Sequence, residues 1–316
     1  MASPPRHPIS TAAAPPSPGT GPAPSLLSAA RTVVRIAVRE PWLSWQFIKN
    51  DPWAGLYPGV VFALAIAVKY HQPPGRLAVT ALVSTLYFWL YLYTFCLTNQ
   101  LAGLREDRLN KPFRPLVKQS VTTRGALVRT TVAFAAFPLL GWALGVWQWA
   151  LLWQAMTLLH NLGGSRHWIV KNAVIGFGVL PMLGAAWQLT APLTADAWRW
   201  MLVLAVVVFL LIPAQDLRDL HGDAAAHRAT FPLAFGEPLT RRCLAAGFAL
   251  LPLVDHFLLI RATTPATWCA EAAIAALCWT IARRVLNHRT PAYDHRTYRY
   301  FEYWYAAILT TAFLTL

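Results

Sequence analysis

Charge is scarce in this sequence, and acid is scarcer still. Only 13% of its 316 residues are Asp, Glu, Lys or Arg, and just 13 residues are acidic. A soluble domain carries about 25% charged residues, so these charges are too few to cover one globule of this size. Cysteine is also sparse. Cys96, Cys243, Cys269 and Cys278 lie in or beside apolar runs, with no Cys-x-x-Cys pair and no Cys/His metal spacing. That excludes a disulfide scaffold and leaves four small hydrophobes in the reduced state. What is abundant is apolar surface: 56% hydrophobic residues, 15 Trp and a mean hydropathy of +0.42. The combination excludes a disordered chain and an ordinary cytosolic enzyme, and favours an integral membrane protein. The net charge of +14 would suggest a nucleic-acid partner in a soluble protein. A membrane protein gives it another origin.

The first 25 residues hold eight prolines among Ser, Ala, Gly and Thr and no apolar core of a signal peptide. Residues 1–25 are therefore expected to be a disordered cytosolic tail. Over residues 26–50, Leu26, Leu27, Ala30, Val33, Val34 and Val38 oppose Arg31, Arg35 and Arg39, the pattern of an amphipathic helix on a membrane surface. The remainder, 51–316, reads as a transmembrane domain. Its apolar stretches fall at 54–68, 77–98, 126–142, 146–160, 169–189, 198–212, 244–260, 266–285 and 303–316. The expectation is an all-α, multi-pass protein with about nine transmembrane helices.

With a cytosolic N-terminus, 23 of the 27 Lys and Arg residues lie on the cytosolic side, and only Lys69, Arg76, Arg199 and Arg261 lie opposite. That asymmetry satisfies the positive-inside rule. It accounts for the positive charge without nucleic acid.

The few acids cluster. The second apolar stretch ends in Asn99-Gln100-Leu101-Ala102-Gly103-Leu104-Arg105-Glu106-Asp107, and Pro112 and Pro115 then end the helix in a loop that carries Lys111 and Arg114. At about 100° per residue, Asn99, Glu106 and Asp107 share one side of a helix. The sixth stretch ends in Asp216-Leu217-Arg218-Asp219-Leu220-His221-Gly222-Asp223 and continues to Arg228-Ala229-Thr230-Phe231-Pro232. Asp216, Asp219 and Asp223 are spaced i, i+3 and i+7. Three aligned carboxylates repel one another, and a divalent cation relieves the repulsion. An all-oxygen donor set suits Mg²⁺ shared with phosphate. Both clusters follow the second helix of a four-helix unit, so the chain reads as two copies of one plan. With Lys111, Arg114, Lys171 and Arg228 nearby, the pair forms a cradle for a metal-bound diphosphate. The plain alternative is that both runs are solvated loops.

At these residues the sequence resembles the UbiA superfamily of intramembrane prenyltransferases. The resemblance rests on the string D-R-x-N-K-P-x-R-P, ending the run from Asn99 to Pro115, and on D-x-x-D-x-x-G-D with R-x-T-x-P from Asp216 to Pro232. It implies a nine-helix bundle of two four-helix halves around a central cavity, Mg²⁺ as cofactor, and an allylic prenyl diphosphate as substrate. Metal ligands carry over to Asn99 and Asp107 in the first motif, with Glu106 beside them, and to Asp216, Asp219 and Asp223 in the second. The first motif departs from the usual N-D-x-x-D-x-x-x-D at Gln100 and Gly103. That departure, with Lys49-Asn50-Asp51-Pro52-Trp53, is similar to a fungal and bacterial branch containing membrane-bound terpene cyclases.

Two chemistries follow from the resemblance. A cyclase ionises the prenyl diphosphate, farnesyl diphosphate being the expected substrate, releases pyrophosphate and closes the carbocation on its own alkenes. A prenyltransferase delivers the cation to an aromatic or other lipophilic acceptor. The residues expected to carry ionisation are Asn99, Asp107, Asp216 and Asp219, with Lys111, Arg114, Lys171 and Arg228 on the diphosphate. No acceptor cluster is evident inside the helices, which favours cyclisation. Trp89, Tyr93, Trp147, Trp153 and Trp304 are available to face a cation but are read first as packing and interfacial anchors. Asp255 is read as a local pair with His256, and His160-Asn161 and His221 as packing polar groups that alternatively touch substrate. A non-catalytic lipid-binding or transport protein would instead concentrate charge at mid-membrane. The lipid bilayer is an expected partner, and the active site is expected to open to the cytosol.

Overall fold

Each of the nine apolar stretches is helical in the computed structural model, which describes residues 38–287 and 290–316, although the fifth, 169–189, is divided between two helices at Gly178. The expected tail and the first part of the amphipathic segment, up to residue 37, lie outside the described residues. Residues up to Leu43 form a unit of their own, described at 38–43 as helix. Ser44–Leu316 forms the second unit and contains all the helices that follow. No strand occurs among the described residues beyond one isolated bridge between His167 and Ala229.

The first half consists of α1 (Leu56–Lys69), α2 (Pro74–Ala102), the short α3 (Leu104–Asn110), α4 (Thr123–Ala143) and α5 (Trp147–Asn161). The second consists of α6 (Trp168–Phe177), α7 (Val179–Gln188), α8 (Ala195–Leu211), α9 (Pro213–Ala225), the short α10 (Phe231–Phe235), α11 (Glu237–Val254) and α12 (Pro265–Leu286). A last helix, α13 (Pro291–Thr315), packs on α12, α9 and α1 and so joins the halves. They meet again where α7 packs on α1 and α5.

Local chemistry sets these boundaries. Thr122, Thr194, Thr264 and Thr290 cap α4, α8, α12 and α13 by accepting a backbone N–H from the first turn. Proline at the first positions of α2, α9, α12 and α13 fits where the missing N–H is not needed. Between α4 and α5 the turn is made by Gly145 at φ +73°, while a Cβ on Gly141 would stand 2.9 Å from the Trp147 backbone. That close approach lets the two helices pack side by side.

Five spans are by themselves long and apolar enough to cross a membrane: Pro74–Ala102, Thr123–Ala143, Trp168–Gln188, Ala195–Ala225 and Glu237–Ile260. The shorter Leu56–Lys69 is apolar as well. Large side chains in mid-span, such as Leu82, Leu139, Leu210, Leu250 and Trp279, are more than half exposed. A soluble protein rarely tolerates so broad an apolar girdle. In lipid it costs nothing, because each helix satisfies its own backbone groups.

Candidate active site

The two acid-bearing runs meet. Following α2, the chain turns at Gly103 and restarts as α3, which carries Glu106 and Asp107. Lys111 caps α3, and Arg114 sits in the turn after it. Arg114 donates to Asp107 Oδ2 at 2.5 Å and to Asn99 Oδ1 at 3.0 Å, tying the end of α2 to α3. In the second run, α9 buries Asp216 and Asp223 and leaves the Asp219 side chain 42% exposed. Lys171, on α6, forms a buried ion pair with Asp216. Arg228 joins the runs: one nitrogen donates to Glu106 at 2.6 Å and the other to Asp223 at 3.3 Å. Its neighbour Ala229 accepts from Trp168 N–H and donates to Arg166, which pins this loop beside α6.

Lys111 lies in the combined field of Asp107, Asp219 and Asp51, with Arg114 opposing them. Burial outweighs this and holds its ammonium below the usual lysine range. Burial likewise pushes the Glu106 carboxyl up, while Arg228 and Lys111 pull it back. The ten expected site residues therefore fall in one region from four segments. Asp219 is the outlying acid, paired with Arg218 at 3.2 Å, and Arg218 also reaches His295 at 2.8 Å and covers the Tyr298 ring at 4.8 Å.

Among the described residues, no three His, Cys, Asp or Glu side chains converge closely enough to grip a metal ion in this arrangement. Four of the expected ligands, Glu106, Asp107, Asp216 and Asp223, are instead neutralised by Arg114, Lys171 and Arg228. Two observations fit a hard cation. The donors are all oxygen, and Asp216 Oδ2 is buried with no hydrogen-bond partner.

Other groups arrange themselves in ways sequence spacing did not reveal. Asn161, at the end of α5, accepts from Asn99 Nδ2 at 3.1 Å and donates to Thr98 Oγ1 at 2.7 Å. His160 Nδ1 lies 2.9 Å from the same Asn161 oxygen. Nothing in the chain pattern signals that pairing, which spans 62 residues. Gln100 is buried and donates to the Phe47 carbonyl at 3.2 Å, so it anchors helix rather than ligand. Asp255 and His256 are not a local pair. Asp255 accepts from Trp304 Nε1 at 2.9 Å, while His256 turns away to Glu271 at 2.8 Å. Consecutive helical residues diverge by about 100°, which is why neighbours in sequence part company.

The aromatic candidates also separate. Trp153 stacks on Tyr91 with centroids 4.0 Å apart and on Phe95 at 5.5 Å. Trp89 donates to Ser44, Tyr93 meets Phe47 edge-on, and Trp147 is 49% exposed. A groove of about 360 Å³ lies between α6, α8 and α11, reached by Trp168 and Asn172. Its walls include the outward-facing Leu210 and Leu250, so it opens toward lipid rather than toward the bundle axis.

Known proteins resemble this chain in sequence and in fold. The chain is 47% identical over 289 residues to the somaliensene A/B synthase of Streptomyces somaliensis, covering 90% of this chain and 97% of that one. It is 34% identical over 276 residues to the diterpene cyclase eriG of Hericium erinaceus, covering 86% and 87%. A UbiA homolog from Archaeoglobus fulgidus, solved with DMAPP and Mg²⁺, superposes with a TM-score of 0.63 at 12% identity, over 86% of this chain and 99% of that one. At that identity the likeness speaks for the fold. The model of the UbiA prenyltransferase family matches residues 56–306. With its apolar spans, this chain is an integral membrane protein, and it belongs to the UbiA prenyltransferase family.

Proposed function

We propose that this protein is a membrane-embedded terpene cyclase that ionises an allylic prenyl diphosphate, releases pyrophosphate and closes the carbocation into a ring. The observation that carries the reading is Arg228, shared between Glu106 and Asp223, which brings the two acid-bearing runs onto one centre. The relatives named as a terpene synthase and a diterpene cyclase support cyclisation over transfer. The second name also adds a C20 diphosphate to the expected farnesyl substrate.

In this reading Asn99, Glu106, Asp107, Asp216, Asp219 and Asp223 hold Mg²⁺, as the oxygen donor set and the bare Asp216 Oδ2 favour. The metal, when bound, withdraws charge from the diphosphate so that the allylic C–O bond ionises. The cations then change partners. Arg114, Lys171 and Arg228, which pair with acids in the folded chain, and Lys111 in the field of those acids would bind diphosphate oxygens once the acids hold metal. The apolar helices keep water from the cation, and the stacked rings of Tyr91, Phe95 and Trp153 offer it π faces. The cytosolic orientation of this end rests on the distribution of Lys and Arg. At the far end of the bundle, Asp196 pairs with both Lys69 and Arg199.

One observation favours transfer instead. Asn172, beside Lys171, is buried with its amide oxygen unpartnered, a position suited to an acceptor hydroxyl. Asp107→Asn and Asp219→Asn test whether ionisation happens here at all. Both should abolish Mg²⁺-dependent pyrophosphate release from a prenyl diphosphate. Full release in both variants would sink the enzyme reading.

A further inference from the structure

We infer that His160 is the base that ends the reaction, taking the proton whose loss turns the cyclised cation into an alkene. The inference rests on the cyclase reading above and on a hydrogen-bond chain that fixes which ring nitrogen is free. Guanidinium groups only donate. Arg114 therefore makes Asn99 Oδ1 an acceptor at 3.0 Å, and Asn99 Nδ2 must be the donor toward Asn161 Oδ1 at 3.1 Å. A second anchor agrees. The Thr98 hydroxyl spends its proton on the Thr94 carbonyl at 2.9 Å, so it accepts from Asn161 Nδ2 at 2.7 Å. Asn161 Oδ1 is thus an acceptor on both counts.

His160 Nδ1, 2.9 Å from that oxygen, carries the imidazole proton. Its Nε2 is left with a lone pair. That atom is buried and meets no hydrogen-bond partner among the described residues. An unsatisfied buried acceptor costs free energy unless it serves something else. Its surroundings say what. The His160 ring lies 5.3 Å from Phe95, the near end of the Phe95–Trp153–Tyr91 stack, and Lys171 and Arg228 act on it electrostatically. The free nitrogen therefore belongs to a ring that adjoins the aromatic stack and lies within the field of Lys171 and Arg228.

The step balances without another reactant. Nε2 takes a proton from a carbon adjacent to the cationic carbon, and the C–H electron pair becomes the new C=C bond. Lys171 and Arg228 disfavour a third positive charge beside them. The proton passes on to an oxygen of the departing pyrophosphate, and the neutral imidazole returns.

The test uses the full-length chain in membranes with Mg²⁺ and whichever of geranyl, farnesyl and geranylgeranyl diphosphate the wild type consumes. Two variants separate base from scaffold. His160→Gln keeps an N–H for Asn161 but has no base, and His160→Phe has neither. For each, pyrophosphate release and the hydrocarbon product are measured together. The expected result is that hydrocarbon per pyrophosphate falls about 10-fold or more in both variants, with prenyl alcohols from water capture making up the difference. Pyrophosphate release itself should fall far less, by about 3-fold at most. An unchanged hydrocarbon fraction in His160→Gln would overturn the assignment. So would a loss of pyrophosphate release in step with product, which marks a structural role. If the wild type released no pyrophosphate from any of the three, the cyclase reading itself would fail first.

Discussion

The first and second acid-bearing runs occupy equivalent places in the two halves but solve their electrostatics differently. The first breaks its helix at Gly103, buries one carboxylate, Asp107, and supplies its own cation, Arg114, seven residues on. The second keeps a continuous helix from Pro213, buries Asp216 and Asp223, and borrows Lys171 from a helix 45 residues earlier. The first run meets Asp107 with its own Arg114 but leaves Glu106 to Arg228 of the second half, whereas the second run finds the partners of Asp216 and Asp223, Lys171 and Arg228, within its own half. This division explains how the first run tolerates Gln100 and Gly103 where its family usually has acids. It has become an orienting network of amides around one acid, and the second run carries most of the buried charge.

Substitutions on either side should therefore differ in kind. Of four further substitutions, the largest effect is expected for Asp216→Asn, which leaves Lys171 buried without its counter-charge and removes the carboxylate with the bare oxygen. Pyrophosphate release by the purified enzyme should fall by about 10²–10³-fold. Arg114→Ala comes next and should act first on stability. Removing one member of a buried pair costs about 3–5 kcal/mol, to be read as lower thermal stability in detergent. A variant as stable as the wild type would show that the Arg114–Asp107 pair does not hold the first run in place. Arg228→Lys attacks the joint between the runs. A single ammonium cannot serve Glu106 and Asp223 as the guanidinium fork does, and the KM for prenyl diphosphate should rise by about 10-fold with a smaller change in kcat. The smallest effect is expected for Arg218→Ala, because its pair with Asp219 is partly exposed. Such pairs contribute about 0.2–1 kcal/mol, so turnover should change by about 2-fold or less.

Much of this organisation was visible in the sequence because it is local. Apolar runs alone placed α4 and α12 within a few residues, and acids at i, i+3 and i+7 located α9. What required the folded chain is whatever depends on partners remote in sequence. The fifth apolar stretch, 169–189, is interrupted at Gly178, between α6 and α7, whose carbonyl accepts from the Tyr91 hydroxyl at 2.9 Å, 87 residues away. The divergence of Asp255 and His256 depends on α13 bringing Trp304 to one and α12 bringing Glu271 to the other. Asn161 reads as an ordinary polar residue at a helix end until Asn99 and Thr98 are seen on either side of it. The cations expected on the diphosphate are legible as residue types near helix ends, but which acid Arg114, Lys171 and Arg228 each meet is seen only in the folded chain.

The central claim is that ionisation in this chain leads to ring closure. The most direct measurement supplies prenyl diphosphates and Mg²⁺ without any acceptor, and follows pyrophosphate and extractable products together by gas chromatography and mass spectrometry. One cyclic hydrocarbon is expected per pyrophosphate released, with both lost when Mg²⁺ is chelated. Turnover that begins only when an aromatic acceptor is added would contradict it.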